Sequence, residues 1–185
     1  MRTAAPLLFF LLLCGCPGGG DLAPEPLDPL PGRDDLDGTL MQVADFQQPC
    51  REAAGAVVLC LRVRFEGEDD WTDLPGPIVD FAPKWGTRYL LDVEVLTEAG
   101  ETTYTKLASL DAEEFAPGGV FELTLRSDFL VGGARLVGGR DFDCETHELC
   151  GDLDERLDAG GLFPAWFQHP EDEDDPLILV AVLEV

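Results

Sequence analysis

The side chains best equipped for chemistry lie between Asp141 and Cys150, where Asp141, Asp143, Glu145 and Glu148 accompany Cys144, His147 and Cys150. A metal-assisted or carboxylate-dependent hydrolase would draw on such a set. Zinc asks for four ligands at established spacings, and neither a Cys-x-x-Cys nor a His-x-x-x-His pair occurs here. The stretch reads better as a disulfide beside an acidic helix start, where the helix dipole favours carboxylates. The run Glu171, Asp172, Glu173, Asp174, Asp175 offers oxygen ligands but lacks the glycine and spacing of a calcium loop, and reads as a solvated loop ending at Pro176. No metal ligand and no cofactor is assigned.

Nucleophilic hydrolysis needs a base and a hydroxyl or thiol. The only histidines are His147 and His169 and the only serines Ser109 and Ser127, neither serine within a Gly-x-Ser-x-Gly elbow. Carboxylates are so numerous that a pair at glycosidase distance means little without a cleft. Gly132, Gly133, Gly138 and Gly139 precede no lysine that would hold a phosphate, and read as turns. Trp71, Trp85 and Trp166 are expected in core or loop packing ahead of a binding surface. No catalytic residue is assigned.

The elements that would position these groups follow from periodicity, which predicts a mainly β fold: a small antiparallel sandwich or barrel with one short α-helix near residues 147–158. Over Val57 to Glu66, Leu59, Leu61, Val63 and Phe65 face one way, and Cys60, Arg62, Arg64 and Glu66 the other. Tyr89, Leu91, Val93 and Val95 repeat the period with Arg88, Asp92 and Glu94 toward solvent. Ala99 and Gly100 then turn the chain, so residues 88–110 read as a hairpin. Phe121, Leu123 and Leu125 mark a further strand. Thr146 is the expected N-cap of a helix bearing Leu149, Leu153 and Leu157 and ending at Gly160 and Gly161. Leu177 to Leu183 is apolar on both faces, which predicts a central strand covered on both sides.

The N-terminus carries an address. Arg2 precedes an apolar run from Ala4 to Leu13, a signal-peptide core well short of the roughly 20 residues a membrane span requires. Leu13, Cys14, Gly15 and Cys16 fit the rule of the lipoprotein signal peptidase. Residues 1–15 are therefore expected to be removed and Cys16 to be acylated, as with palmitate, its chains anchoring the protein at roughly 0.8 kcal/mol per buried methylene. Pro17 stands where an aspartate would signal inner-membrane retention, so the expected location is the outer membrane of a Gram-negative envelope. Residues 16–38 combine glycine, proline and aspartate and read as an extended tether. Two β-rich halves follow, 39–110 and 111–185.

Charge narrows the partners. With 12 Lys and Arg against 37 Asp and Glu, the net charge is −25. A phosphate backbone is repelled, so nucleic acid is excluded. Contact with the membrane is left to the N-terminal lipid. In an oxidising compartment Cys50, Cys60, Cys144 and Cys150 should form disulfides. Of the three possible pairings, the local ones are preferred: Cys50 with Cys60, and Cys144 with Cys150.

One set of residues carries a resemblance. Cys50, Cys60 opening the strand Cys60-Leu61-Arg62-Val63-Arg64, Trp71, Ile78, Phe81, Gly86, Tyr89 leading Leu91 and Val93, and finally Tyr104 through Leu110 occur in that order. Over residues 50–110 the chain resembles a family of small extracytoplasmic bacterial domains of unknown function, often found in lipoproteins and sometimes attached to META-type heat-shock lipoprotein domains. The connection between the last two strands is shorter here. The resemblance implies a β-rich fold and an envelope address, and lends no catalytic residue. The leading expectation is a non-enzymatic, lipid-anchored accessory module that binds an envelope protein or a wall component. The alternative is a hydrolase or metal-dependent enzyme using Asp141 to Cys150.

Overall fold

The computed structural model describes residues 38–115 and 117–183; the expected leader, the expected acylation site Cys16 and the expected tether up to residue 37 lie outside the described residues. Five strands form the first sheet: β1 (Thr39–Arg51), β2 (Val57–Phe65), β3 (Thr72–Leu74), β4 (Thr87–Glu98) and β5 (Glu101–Glu114). Their order is β3-β2-β1-β4-β5, antiparallel throughout. The second sheet holds β6 (Val120–Leu125), β7 (Phe142–Cys144), β8 (Phe163–Gln168) and β9 (Leu177–Val182) in the order β6-β8-β9-β7. Only β7 and β9 pair in parallel. The helix, α1 (His147–Ala159), joins β7 to β8. The fold is mainly β with one short helix, and both sheets keep open edges, so no barrel closes.

The second sheet buries one face, whereas β1 and β4 of the first are buried on both, with Leu40, Gln42, Leu90 and Asp92 buried opposite the core. In the first, Met41, Val43, Leu61, Val63, Leu91 and Val93 are buried beneath Ile78, with Phe81 and Tyr104 packed around them. In the second, Leu123, Leu125, Phe142, Phe167, Leu177 and Leu179 share a core with Leu153 of α1. Burying each such side chain contributes on the order of 1.5 to 3 kcal/mol. Phe46 and Leu59 of the first sheet pack against this second core, so it also forms the joint between the sheets.

Helix and hairpin follow the local pattern. The Thr146 hydroxyl accepts a hydrogen bond from the Leu149 amide at 3.3 Å, and Gly160 ends α1 at φ 73°. Ala99 and Gly100 take φ of 52° and 89°, the doubly left-handed turn that suits a two-residue hairpin.

Five expectations about exposure need correction. Cys60 is fully buried, because its disulfide makes it an apolar group. Asp92 is buried where β1 begins, opposite Leu40 and against Gly38, and Arg88 is partly buried because it turns toward Asp45. Val95 is exposed because β1 ends its pairing with β4 at Val93. β9 is covered on one face only: Leu177 and Leu179 are buried, while Ile178 and Val180 are half-buried, because α1 lies over the face that the core already covers.

Candidate functional site

An irregularity in β1 builds the most buried cluster of charge. Val43 pairs with Val63 and Gln47 with Leu61, so the intervening residues of β1 bulge out of register. A bulge re-aims side chains. Phe46 turns to stack on Phe121 of β6, with ring centroids 4.8 Å apart. Asp45 turns toward the end of β8, where His169 Nε2 lies 2.9 Å from its Oδ2. A carboxylate only accepts, so the ring N–H donates. Arg88 Nη2 lies 3.7 Å from the other carboxylate oxygen.

Backbone bonds from several segments converge on the same place. The Gly86 amide donates to the Asp45 carbonyl at 2.7 Å, and the Phe115 amide to the Gly86 carbonyl at 2.7 Å. His169 in turn donates its amide to the Gly119 carbonyl at 2.9 Å and accepts from the Gly118 amide at 3.1 Å. Gly86 sits at φ 80°, a conformation that a side chain would strain. The His169 ring stacks on Phe121 at 4.5 Å, and the Arg88 guanidinium lies over Phe115 at 4.5 Å.

The chemistry open to this cluster is narrow. The His169 and Asp45 side chains are 5% and 9% exposed. His169 Nδ1 is buried without a hydrogen-bond partner, and among the described residues no hydroxyl or thiol is bonded to the ring. An imidazole oriented by a carboxylate supplies two members of a nucleophilic triad, and among the described residues no third member faces the ring. The cluster ties the first sheet to the second.

Beside it, His169, Pro117, Gly118, Gln168 and Asp143 line an open cleft of about 600 Å³. The acidic run forms its far wall. Arg140 donates to the carbonyls of Glu173 at 2.8 Å and Asp175 at 2.9 Å while its guanidinium lies over Trp85 at 5.6 Å. Lys84 adds an ion pair to Glu173 at 3.4 Å. The exposed loop is thus held by cations, and burial lowers the Arg140 pKa against the attraction of the neighbouring carboxylates.

A second seam joins β1 to β6. The buried Gln48 side chain donates to the Thr124 carbonyl at 2.8 Å and accepts from the Thr124 amide at 3.2 Å, as a neighbouring strand would. Next to it opens a cleft of about 480 Å³ reached by Arg51, Arg62 and Asp73. Arg51 pairs with Asp128, which Arg126 also holds. The Arg126 hydrogen bond keeps the Asp128 carboxyl below its usual range, whereas burial pushes Asp73 up against the attraction of Arg62.

The residues singled out in the sequence are dispersed by the fold. Asp141 sits in the fork of Arg135 at 2.5 and 3.0 Å, and those hydrogen bonds lower its pKa while raising that of Arg135. Asp143 stands at the rim of the first cleft, and His147 opens α1 on the surface. Cys144 pairs with Cys150 and Cys50 with Cys60, at Cα separations of 5.7 and 5.8 Å. Among the described residues no group of three or more His, Cys, Asp or Glu side chains is placed to hold a metal. Trp71 lies beneath Arg64 and Trp85 beneath Arg140, while the partly exposed Trp166 donates its indole N–H to Glu122 at 3.1 Å.

Asp45, Gln48, Arg88 and Arg140 escape a reading by motif. Asp45 leaves one trace, a lone acid inside the apolar stretch from Leu40 to Phe46. Comparison of the chain with protein-family models, with curated proteins and with solved structures found no match.

Proposed function

We infer that this chain is a lipid-anchored envelope lipoprotein whose mainly β domain binds an envelope protein or wall component without catalysing a reaction. The observation that carries the reading is the pairing of all four cysteines of the described residues. Disulfides persist in exported proteins and are rare where thiols are kept reduced. The lipobox ending at Cys16 supplies the anchor, and the resemblance over residues 50–110 points to the same compartment. Among the described residues no helix is long and apolar enough to cross a membrane.

The non-catalytic part rests on the buried base. His169 faces a carboxylate, a phenyl ring and glycine backbone rather than a nucleophile. Labelled palmitate tests the anchor: incorporation is expected in the wild-type protein and none in Cys16→Ser. Absence of label from the wild type defeats the reading. Retention of a defined envelope fraction by the anchored protein tests the binding role.

A further inference from the structure

We propose, resting on the binding-module reading above, that the edge of β4 from Glu94 to Glu98, which no described strand covers on the β1 side, adds an extended strand of a partner protein carrying basic, apolar and basic residues at alternate positions. β4 and β5 run on together beyond the point where β1 stops: Thr39 pairs with Val93, and no described strand lies on the β1 side of the following five residues of β4. All five are exposed, with Val95 at 42% and Leu96 at 52%.

The edge has a defined hydrogen-bonding face. In a two-residue hairpin the pair that flanks the turn exchanges backbone bonds, here Glu98 with Glu101. Alternation makes Leu96 and Glu94 bonded to β5 as well, so the N–H and C=O groups of Thr97 and Val95 point away from it. Val79 corroborates the phase from the other side: it accepts from the Lys106 amide at 3.0 Å and donates to the Tyr104 carbonyl at 2.8 Å, and Tyr104 is the partner of Val95. Val79 therefore occupies the outer edge of the arm on β5, while among the described residues no strand occupies the one on β4. An open strand edge is a template for strand addition.

Charge selects the occupant. Glu94, Leu96 and Glu98 share one face of the arm, joined by Glu101 across the turn. A second copy pairing antiparallel about Leu96 would set Glu94 opposite Glu98 twice, and like charges directly opposite destabilise a ladder. A strand with Lys or Arg opposite both glutamates and an apolar residue opposite Leu96 reverses that sign. The net charge of −25 steers such a cationic segment toward the protein.

The test uses the full-length protein in detergent and two fluorescein-labelled peptides, one containing Lys-Thr-Val-Thr-Lys and the other Glu-Thr-Val-Thr-Glu. The wild type is expected to prefer the lysine peptide by about tenfold or more, and Glu94→Lys/Glu98→Lys to reverse the preference. Thr97→Pro removes one outward N–H and, within the hairpin, only the hydroxyl contact of Thr97 with Thr102, which Thr97→Val removes alone; Thr97→Pro should weaken the lysine peptide by about tenfold and Thr97→Val should not. Equal binding of both peptides, binding indifferent to Thr97→Pro, or no binding overturns the proposal. So does a wild-type dimer that these variants dissociate. If an envelope ligand is retained equally by wild type and the double-lysine variant, the binding module survives and this edge does not. A charge-reversed peptide preference with no envelope ligand retained leaves the edge assigned and removes the module's proposed role.

Discussion

His169 Nε2 meets Asp45 Oδ2 at 2.9 Å across 124 residues of chain, and the pair joins the bulge of β1 to the end of β8. Removing one partner of a buried, charge-assisted bond leaves the other without compensation. His169→Ala and Asp45→Ala are each expected to cost about 3 kcal/mol in urea denaturation, and the double variant less than the sum. Strict additivity in that cycle would show that the two residues act separately.

Gln48 makes a different kind of link. Its amide side chain fills both bonding positions at Thr124, so Gln48→Ala leaves a half-buried N–H and C=O on β6 without these partners. A loss of about 2 kcal/mol is expected, together with faster hydrogen exchange at the Thr124 amide. Unchanged exchange there would place the protection elsewhere.

The cap of α1 predicts a smaller effect. Thr146→Ala should lose about 1 kcal/mol, and Thr146→Ser should retain most of it, as judged by thermal unfolding. The disulfide that spans this cap, Cys144 with Cys150, closes a short loop, and its removal by paired serine substitution is expected to cost about 2 to 3 kcal/mol.

The hairpin, α1 and the cysteine pairs were legible because each is a local pattern: alternation, an N-cap with leucines four apart, thiols a few residues from one another. β1 was not. The bulge at Asp45 breaks its alternation, and Pro49 within it argues against a strand until its pairing is known. β8 carries Pro164 in the same misleading way, although the carbonyl of that proline accepts from the Leu183 amide at 3.0 Å. Asp45 with His169, Gln48 with Thr124, and Arg140 with the acidic run are relations between distant segments, set by how the sheets meet. The stretch from Asp141 to Cys150 was conspicuous by composition, yet Arg135 and the disulfide engage its best ligands.

Acid should weaken the protein through particular carboxylates. Asp141 and Asp128 have folded pKa values below their ordinary 3.8, so their stabilisation is present above that value and disappears as pH falls through the lower one. Asp73 is raised, so its contribution has the opposite sign, present below its ordinary value and lost as pH rises through the folded one. In urea midpoints measured from about pH 6 down to about pH 3, Asp141→Asn and Asp128→Asn should flatten the acid limb, whereas Asp73→Asn should not. The effects will be modest because the Asp141 and Asp128 pairs are solvent-exposed.

Arg140 grips main-chain oxygens rather than carboxylates, so its two hydrogen bonds to the acidic run do not depend on which side chains stand there, although the carboxylates add attraction. Glu173 and Asp175 can become amides without loss of these two bonds, although Glu173 would then give up its ion pair with Lys84. The course of the main chain along this wall is thereby set largely apart from the charge it displays.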